Sequence, residues 1–221
     1  MTSTQTPADP HRGQPISASG KPLGQAPVAM VLLHGRGATA ESILTLAREF
    51  QRPNITYLAP QAAGNTWYPY PFMSPLAQNE PYLTSALGAV RAVLERLFAA
   101  GVPPAQTILL GFSQGACLAT EYAARNAQRF GGVVGLSGGL IGPPGTPRDY
   151  PNSLEGTPVF LGCSDVDPHI PLERVQETTQ VLSRLGGVVV EKIYPGMGHT
   201  VNHDEIAHVT AMLDSLLDSV G

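Results

Sequence analysis

Gly111-Phe112-Ser113-Gln114-Gly115 sets a serine between two glycines. The run before it, Thr107 to Leu110, is apolar and β-prone, and the run after it, Gln114 to Gln128, is rich in small residues. Strand, sharp turn and helix in that order present a serine hydroxyl at the tip of a strained turn, ready for nucleophilic attack. Gly111 and Gly115 suit such a turn because a Cβ at either would meet the neighbouring strand or helix. A helix that starts directly behind Ser113 points its dipole and free N–H groups at any anion formed there. The bland reading is a glycine-rich turn with a spectator serine, and the strand–turn–helix context favours the nucleophile.

A serine hydroxyl attacks well only when an imidazole takes its proton and a carboxylate orients that imidazole. Of the six histidines, His199 follows the last apolar run in Gly196-Met197-Gly198-His199. The glycines there let the backbone bring the ring close to a sheet edge. His203 and His208 fall on the final helical run, where a solvated histidine is the simpler reading. His34 ends an early strand but precedes the serine, and its expected role is to fix the loop after it. For the acid, Asp165 and Asp167 compete in Ser164-Asp165-Val166-Asp167-Pro168. They are two apart, so strand alternation does not separate them. An oxyanion needs two preorganised N–H donors. Gln114, next after the serine, supplies one; Arg36, in His34-Gly35-Arg36-Gly37 after the early strand, supplies the other. The rival metal reading, built on His199, His203 and Asp204, lacks the HExxH spacing. No metal and no cofactor is expected.

Alternating strands and helices are needed to hold these groups. Met1 to Pro10 reads as a disordered tail, and 11–221 as one domain. His11 to Pro27 is punctuated by glycine and proline and allows at most a short edge hairpin around Ile16. Val28 to His34 reads as a buried strand. Thr39 to Phe50 reads as a helix capped by Thr39 or Ser42. Ile55 to Ala59 is a strand, and Glu80 to Ala100 a helix stopped by Gly101. Thr107 to Phe112, Gly132 to Leu136, Thr157 to Cys163 and Gly187 to Tyr194 are strands. Helices follow over Gln114 to Gln128, from Pro171, and from Asn202, which forms a capping box with Glu205. Such alternation gives right-handed crossovers and an α/β fold with a mainly parallel central sheet, helices on both faces. Ligands of such sheets bind at the carboxyl ends of the strands. Ser113, Asp167 and His199 all occupy strand ends, in the chain order that follows a nucleophile turn.

Gln61 to Asn79 fits neither helix nor central strand, because Pro69, Pro71 and Pro75 interrupt it. Trp67, Tyr68 and Phe72 lie in this segment. They are candidates for a substrate-pocket wall, with core packing weighed equally.

Composition removes several classes. The 221 residues carry a net charge of −4 with 13 basic residues and no basic run, which argues against nucleic acid. No apolar stretch approaches the length of a membrane span, and the first residues lack the basic-then-apolar signature of a signal peptide. Two cysteines, Cys117 and Cys163, fit free packing thiols in a reducing compartment, the cytoplasm.

At several points together the chain resembles the phospholipase/carboxylesterase family of α/β-hydrolases, which includes the acyl-protein thioesterases. The matching pieces are Leu32-Leu33-His34-Gly35-Arg36-Gly37, Trp67-Tyr68, Gly101-Val102-Pro103-Pro104, Gly111-Phe112-Ser113-Gln114-Gly115-Ala116, Leu136-Ser137-Gly138, Asp167-Pro168-His169-Ile170-Pro171 and Gly196-Met197-Gly198-His199. The resemblance implies the α/β-hydrolase fold and cofactor-free ester or thioester hydrolysis. It also ranks Asp167 above Asp165, because the family's acid precedes a Pro-x-Val-Pro-like run. Arg36 departs from the apolar residue usual in eukaryotic acyl-protein thioesterases, so the chain looks closer to bacterial carboxylesterases. The reading is a serine carboxylesterase for short-chain or aromatic esters. Its alternatives are a lysophospholipase or acyl-protein thioesterase, or a non-catalytic ligand-binding scaffold. The partner is a small-molecule ester, with no stable membrane insertion and with room for a homodimer. The short-chain expectation rests on two features: the stiff Trp67 to Met73 loop, and the cost of desolvating the Arg36 guanidinium beside an alkyl chain. Alternatively, Arg36 points into solvent or pairs with Glu41.

Overall fold

The computed structural model describes residues 9–50 and 52–220. Seven strands form one sheet: β1 (Ile16–Gly20), β2 (Val28–Leu33), β3 (Ile55–Pro60), β4 (Thr107–Phe112), β5 (Gly132–Leu136), β6 (Pro158–Ser164) and β7 (Val188–Tyr194). Their order across the sheet is β1-β3-β2-β4-β5-β6-β7, and only β1 runs antiparallel to its neighbour. The helices are α1 (Ala40–Ile43), α2 (Leu46–Phe50), α3 (Tyr82–Ala99), α4 (Gln114–Arg125), α5 (Leu172–Arg184) and α6 (His203–Val220). The packing of α3, α4 and α5 buries one sheet face, while α1, α2 and α6 bury the other. The alternation of elements predicts this mainly parallel sheet with helices on both faces, and the resemblance predicts its α/β-hydrolase arrangement. The central strands β2 to β6 are buried on both faces, which is why they read as continuous apolar runs rather than alternating ones.

The direction in which successive strands are added across the sheet reverses around β2. The crossover from β2 goes to β3 on one side, while β4 pairs on the other, with Leu33 beside Gly111. The loops leaving β2 and β4 therefore diverge and leave a crevice at the strand ends. That register sets His34-Gly35-Arg36 alongside Phe112-Ser113.

Several boundaries differ from the sequence reading for local reasons. The helix expected over Thr39 to Phe50 is two short helices, because the Thr45 hydroxyl donates to the Ser42 carbonyl (2.7 Å) at the break. Thr39 is its cap, in a reciprocal box with Ser42. Near Ile16 there is a single edge strand paired with β3, not a hairpin: Gly20 at φ 76° turns the chain away, and Lys21 N–H donates to Ile55 O (2.9 Å). Of the tail expected over Met1 to Pro10, residues 1–8 lie outside the described residues; the Asp9 carboxylate accepts from Ser85 Oγ.

Helix α4 is buried from Gln114 to Ala124 and is tolerated there because most of its residues are small. Glu121 is the one charged residue in that stretch. Its carboxylate is 1% exposed and meets Arg125 at 2.6 Å, Arg148 at 3.6 Å and the Ile141 N–H at 2.9 Å. Arg148 and Arg174 also share Glu177, at 3.0 and 2.9 Å. Arg174 donates to the carbonyls of Leu140 and Gly142, both at 2.6 Å. This network gives the Gly/Pro-rich segment after β5 the hydrogen bonds that no strand or helix provides there. Glu121→Ala leaves Arg148 buried with one carboxylate fewer. We expect it to cost about 3–5 kcal/mol, a fall in Tm of roughly 10 °C, measured by thermal unfolding. A change below 1 °C would mean that the network is not holding the segment.

Candidate active site

Ser113 is built into a strained backbone, φ 56° and ψ −121°, between the end of β4 and the start of α4. The two flanking glycines are obligatory on geometric grounds. A Cβ on Gly111 would overlap the Gly115 carbonyl, and one on Gly115 would overlap the carbonyls of Leu33 and His34. Gly35 packs against the serine itself, its position for a Cβ lying 3.3 Å from Ser113 Cβ.

The hydroxyl of Ser113 lies 2.8 Å from His199 Nε2, and His199 Nδ1 lies 2.7 Å from Asp167 Oδ2. A carboxylate only accepts, so Nδ1 carries the hydrogen and Nε2 offers its lone pair to the serine. Asp167 Oδ1 accepts from the N–H groups of His169 (2.8 Å) and Ile170 (3.1 Å). Burial raises the pKa of Asp167, but the bonds from His199, His169 and Ile170 together outweigh it and hold the group below its ordinary value. The acid therefore remains ionised beside the imidazole. The His199 ring sits between Phe112, with centroids 5.0 Å apart, and the edge-on ring of His169 at 4.8 Å. Asp165 takes no part in this chain of bonds. It is not a turn residue bonding its own backbone either: Oδ1 accepts from Gly196 N–H at 2.8 Å, tying the loop that carries His199 to the loop that carries Asp167.

Ser113, His199, Phe112 and His169 border a cleft of about 450 Å³. Its walls include Gly35, Arg36, Tyr68, Phe72, Gln114 and Ile170. Arg36 and Gln114, the residues expected to present N–H donors, thus both reach the cleft. Tyr68 and Phe72 form part of its wall, but Trp67 does not. Its ring is fully buried, 5.0 Å from His34, with Nε1 donating to the His34 carbonyl at 2.8 Å. Trp67 faces inward because its indole N–H has an acceptor there, so its place is the core. Cys117 lies at the cleft, but burial pushes its thiol up to about 12, leaving it a packing residue.

Arg36 corrects a second expectation. Its guanidinium neither flanks an alkyl chain unpaired nor meets Glu41, which accepts instead from Ser17 Oγ at 2.6 Å. It donates to the carbonyls of Tyr68 (3.0 Å), Pro69 (2.9 Å) and Tyr70 (3.0 Å). Charge-assisted bonds to those carbonyls replace the hydration that the desolvation argument assumed lost.

Two buried histidines have structural work that explains their positions. His34 Nδ1 donates to Gly35 O (2.8 Å) and Nε2 accepts from Ala62 N–H (3.1 Å), fixing the loop after β2 as expected. His11 was not singled out by the sequence. It bonds Trp67 O through Nε2 (2.9 Å) and Ala63 N–H through Nδ1 (3.0 Å). Burial lowers the pKa of both rings, which favours the neutral form that these bonds require. No spacing signal links His11 to residues more than fifty positions away.

The start of α6 holds the other end of the His199 loop. Asn202 Oδ1 accepts from Glu205 N–H (3.0 Å), and Glu205 Oε2 accepts from Asn202 N–H (2.8 Å), the capping box expected. The Glu205 carboxyl is fully buried against Gly162, and burial raises its pKa to about 7. The folded protein then keeps a proton that the unfolded chain releases near its ordinary value of 4.5. This contribution to stability is present below that value and is lost as pH rises through about 7, by up to about 3 kcal/mol. Glu205→Gln is therefore expected to raise Tm relative to wild type at pH 8 but not at pH 4.5. Equal differences at the two pH values would show that Glu205 does not titrate this way.

The family model for Phospholipase/Carboxylesterase matches residues 18–217. The chain belongs to this family. It is similar over its length to a crystal structure of a phospholipase/carboxylesterase from Dyadobacter fermentans, with 42% identity and a TM-score of 0.87, covering 93% of this chain and 97% of that one. It is 25% identical to acyl-protein thioesterase 1 of Saccharomyces cerevisiae over 94% of this chain and 99% of that protein. A carboxylesterase from Bacillus cereus shares the fold, with a TM-score of 0.73 at 18% identity, covering 93% of this chain and 95% of that one. No helix among the described residues is long and apolar enough to cross a membrane.

Proposed function

We propose that this family member is a serine carboxylesterase for short-chain or aromatic esters, with Ser113, His199 and Asp167 as its catalytic residues. The observation that carries the reading is the unbroken chain of hydrogen bonds from Ser113 Oγ to Asp167 at the edge of a cleft. Ser113 Oγ attacks the ester carbonyl carbon while His199 Nε2 takes its proton. Negative charge moves to the carbonyl oxygen, which accepts from the N–H groups of Arg36 and Gln114. One such donor contributes about 3 kcal/mol to the transition state. The tetrahedral intermediate collapses, the C–O bond to the alcohol breaks, and His199 returns its proton to the leaving oxygen. Water then attacks the acyl-enzyme, with His199 again as base, and the acid and free Ser113 are released. Asp167, kept ionised, stabilises the imidazolium in both halves. Thioesters of the same acyl groups follow the same steps.

The chain-length reading draws support from the aromatic, proline-stiffened wall of the cleft, built by Tyr68, Pro71 and Phe72. A cytoplasmic setting fits the free thiols of Cys117 and Cys163. The test uses p-nitrophenyl esters from acetate to palmitate together with a fluorophosphonate probe. We expect kcat/KM to peak at acyl chains of a few carbons and a single covalent adduct on Ser113. An optimum at palmitate would overturn the size claim; an adduct on Ser137 or Ser164 instead would overturn the nucleophile.

A further inference from the structure

Tyr68-Pro69-Tyr70-Pro71 poses a hydrogen-bonding problem. Two of its four residues lack an N–H, so the segment cannot join a ladder, yet its carbonyls still need donors. Within the segment's own neighbourhood, Thr66 Oγ1 donates to Tyr68 O (3.0 Å) and Ser74 N–H to Pro71 O (2.9 Å), and the remaining donors come from Arg36, on the loop after β2, and Gln114, next to Ser113. Arg36 donates through Nη1 to Pro69 O and through Nη2 to Tyr68 O and Tyr70 O. Gln114 donates through Nε2 to Tyr68 O at 2.8 Å and accepts through Oε1 from Trp67 N–H at 2.9 Å. Pro71 and Phe72, which line the cleft, follow immediately in the chain. On the far side, Tyr70 N–H donates to Asn79 Oδ1 at 2.9 Å, and Gly142 N–H donates to Phe72 O at 2.7 Å.

We infer that Arg36 is a positioning residue for acyl-chain selectivity: its guanidinium clamps the Tyr68–Tyr70 backbone and thereby fixes how far the Tyr68–Phe72 wall stands from Ser113. The inference rests on the esterase reading above. It assigns two separable tasks to the same residues. The backbone N–H groups of Arg36 and Gln114 serve the reacting carbonyl, and their side chains set the wall against which the acyl chain packs. A planar guanidinium, with five donors in a fixed fork, holds carbonyls of three successive residues, which a lysine ammonium on a flexible stem does not reproduce. An effect through the backbone donor acts on every ester alike and appears in kcat. An effect through the wall depends on acyl length and appears in KM.

The experiment measures kcat and KM for p-nitrophenyl acetate, butyrate, octanoate and decanoate on wild type, Arg36→Leu and Arg36→Lys. Trp67 is the sole tryptophan and adjoins the clamp, so acrylamide quenching of its fluorescence reports wall mobility without turnover. We expect the butyrate-to-decanoate ratio of kcat/KM to fall about tenfold in Arg36→Leu, through KM for the longer esters. A smaller fall in the same direction is expected in Arg36→Lys, with faster quenching in both variants. An unchanged ratio, or an equal loss of kcat on all four esters with KM unmoved, would overturn the clamp. Absence of turnover by wild type would instead overturn the esterase reading, and the two failures are read from different proteins.

Discussion

Ser113→Ala is expected to lower kcat on p-nitrophenyl butyrate by about 10⁶-fold, the scale seen when a triad nucleophile is removed. The other groups cannot compensate. In the proposed mechanism His199, oriented by Asp167, takes one proton from Ser113 Oγ, and without Oγ the chain of hydrogen bonds ends at His199 Nε2. The proposed N–H donors of Arg36 and Gln114 are untouched by the substitution, so a residue of catalysis over water is expected to survive. The comparison is clean because alanine occupies φ 56° with much the same strain as serine, and the backbone bond from Ser113 N–H to Leu136 O (2.9 Å) remains. A variant retaining more than a few per cent of wild-type kcat would place the nucleophile elsewhere.

The second large effect separates two aspartates that lie two residues apart. Asp167→Asn is expected to reduce kcat by about 10⁴-fold. An amide in place of the carboxylate can present its NH₂ to His199 Nδ1, which then accepts rather than donates. The ring proton moves to Nε2, and the lone pair that should receive the serine proton is gone. The bonds from His169 and Ile170 N–H to Oδ1 survive with an amide oxygen, so the loop keeps its shape and the loss is in kcat. Asp165→Asn should cost less than about tenfold, because an amide oxygen still accepts a neutral bond of the kind made by Gly196 N–H, worth about 1 kcal/mol. Steady-state kinetics of the two variants settles the order; the reverse result would exchange the roles of the two residues.

Much of this site was legible from residue types and spacing. Ser113 stood out because a sharp strand–helix turn needs tiny neighbours: Gly111 avoids the carbonyl of Gly115 four residues on, whereas the carbonyls that Gly115 avoids, those of Leu33 and His34, are brought there only by the fold. The strand order could not be read, but the buried strands could, since residues hidden on both faces are apolar without interruption. His199 followed from its strand-end position after the serine. The choice of Asp167 over Asp165 needed the family resemblance, because local alternation treats the two alike. Only the fold showed that their carboxylates diverge, one to His199 and the other to Gly196.

What tertiary structure decided alone concerns contacts between residues far apart in the chain. Trp67 and Tyr68 are adjacent aromatics with equal claims on a pocket. The indole turned inward because His34 O, 33 residues away in sequence, accepts its N–H, while Tyr68 reached the cleft. The guanidinium of Arg36 could have met solvent, Glu41 or substrate by any argument from sequence. It met Tyr68, Pro69 and Tyr70 because the crevice between β2 and β4 brings the two loops together, and because a proline-broken segment leaves carbonyls without donors. Sequence determined which side chains could do chemistry and which runs could be strands. The partners of Arg36 were decided by where the order of strands reverses, since a hydrogen bond depends on distance and direction that composition does not carry.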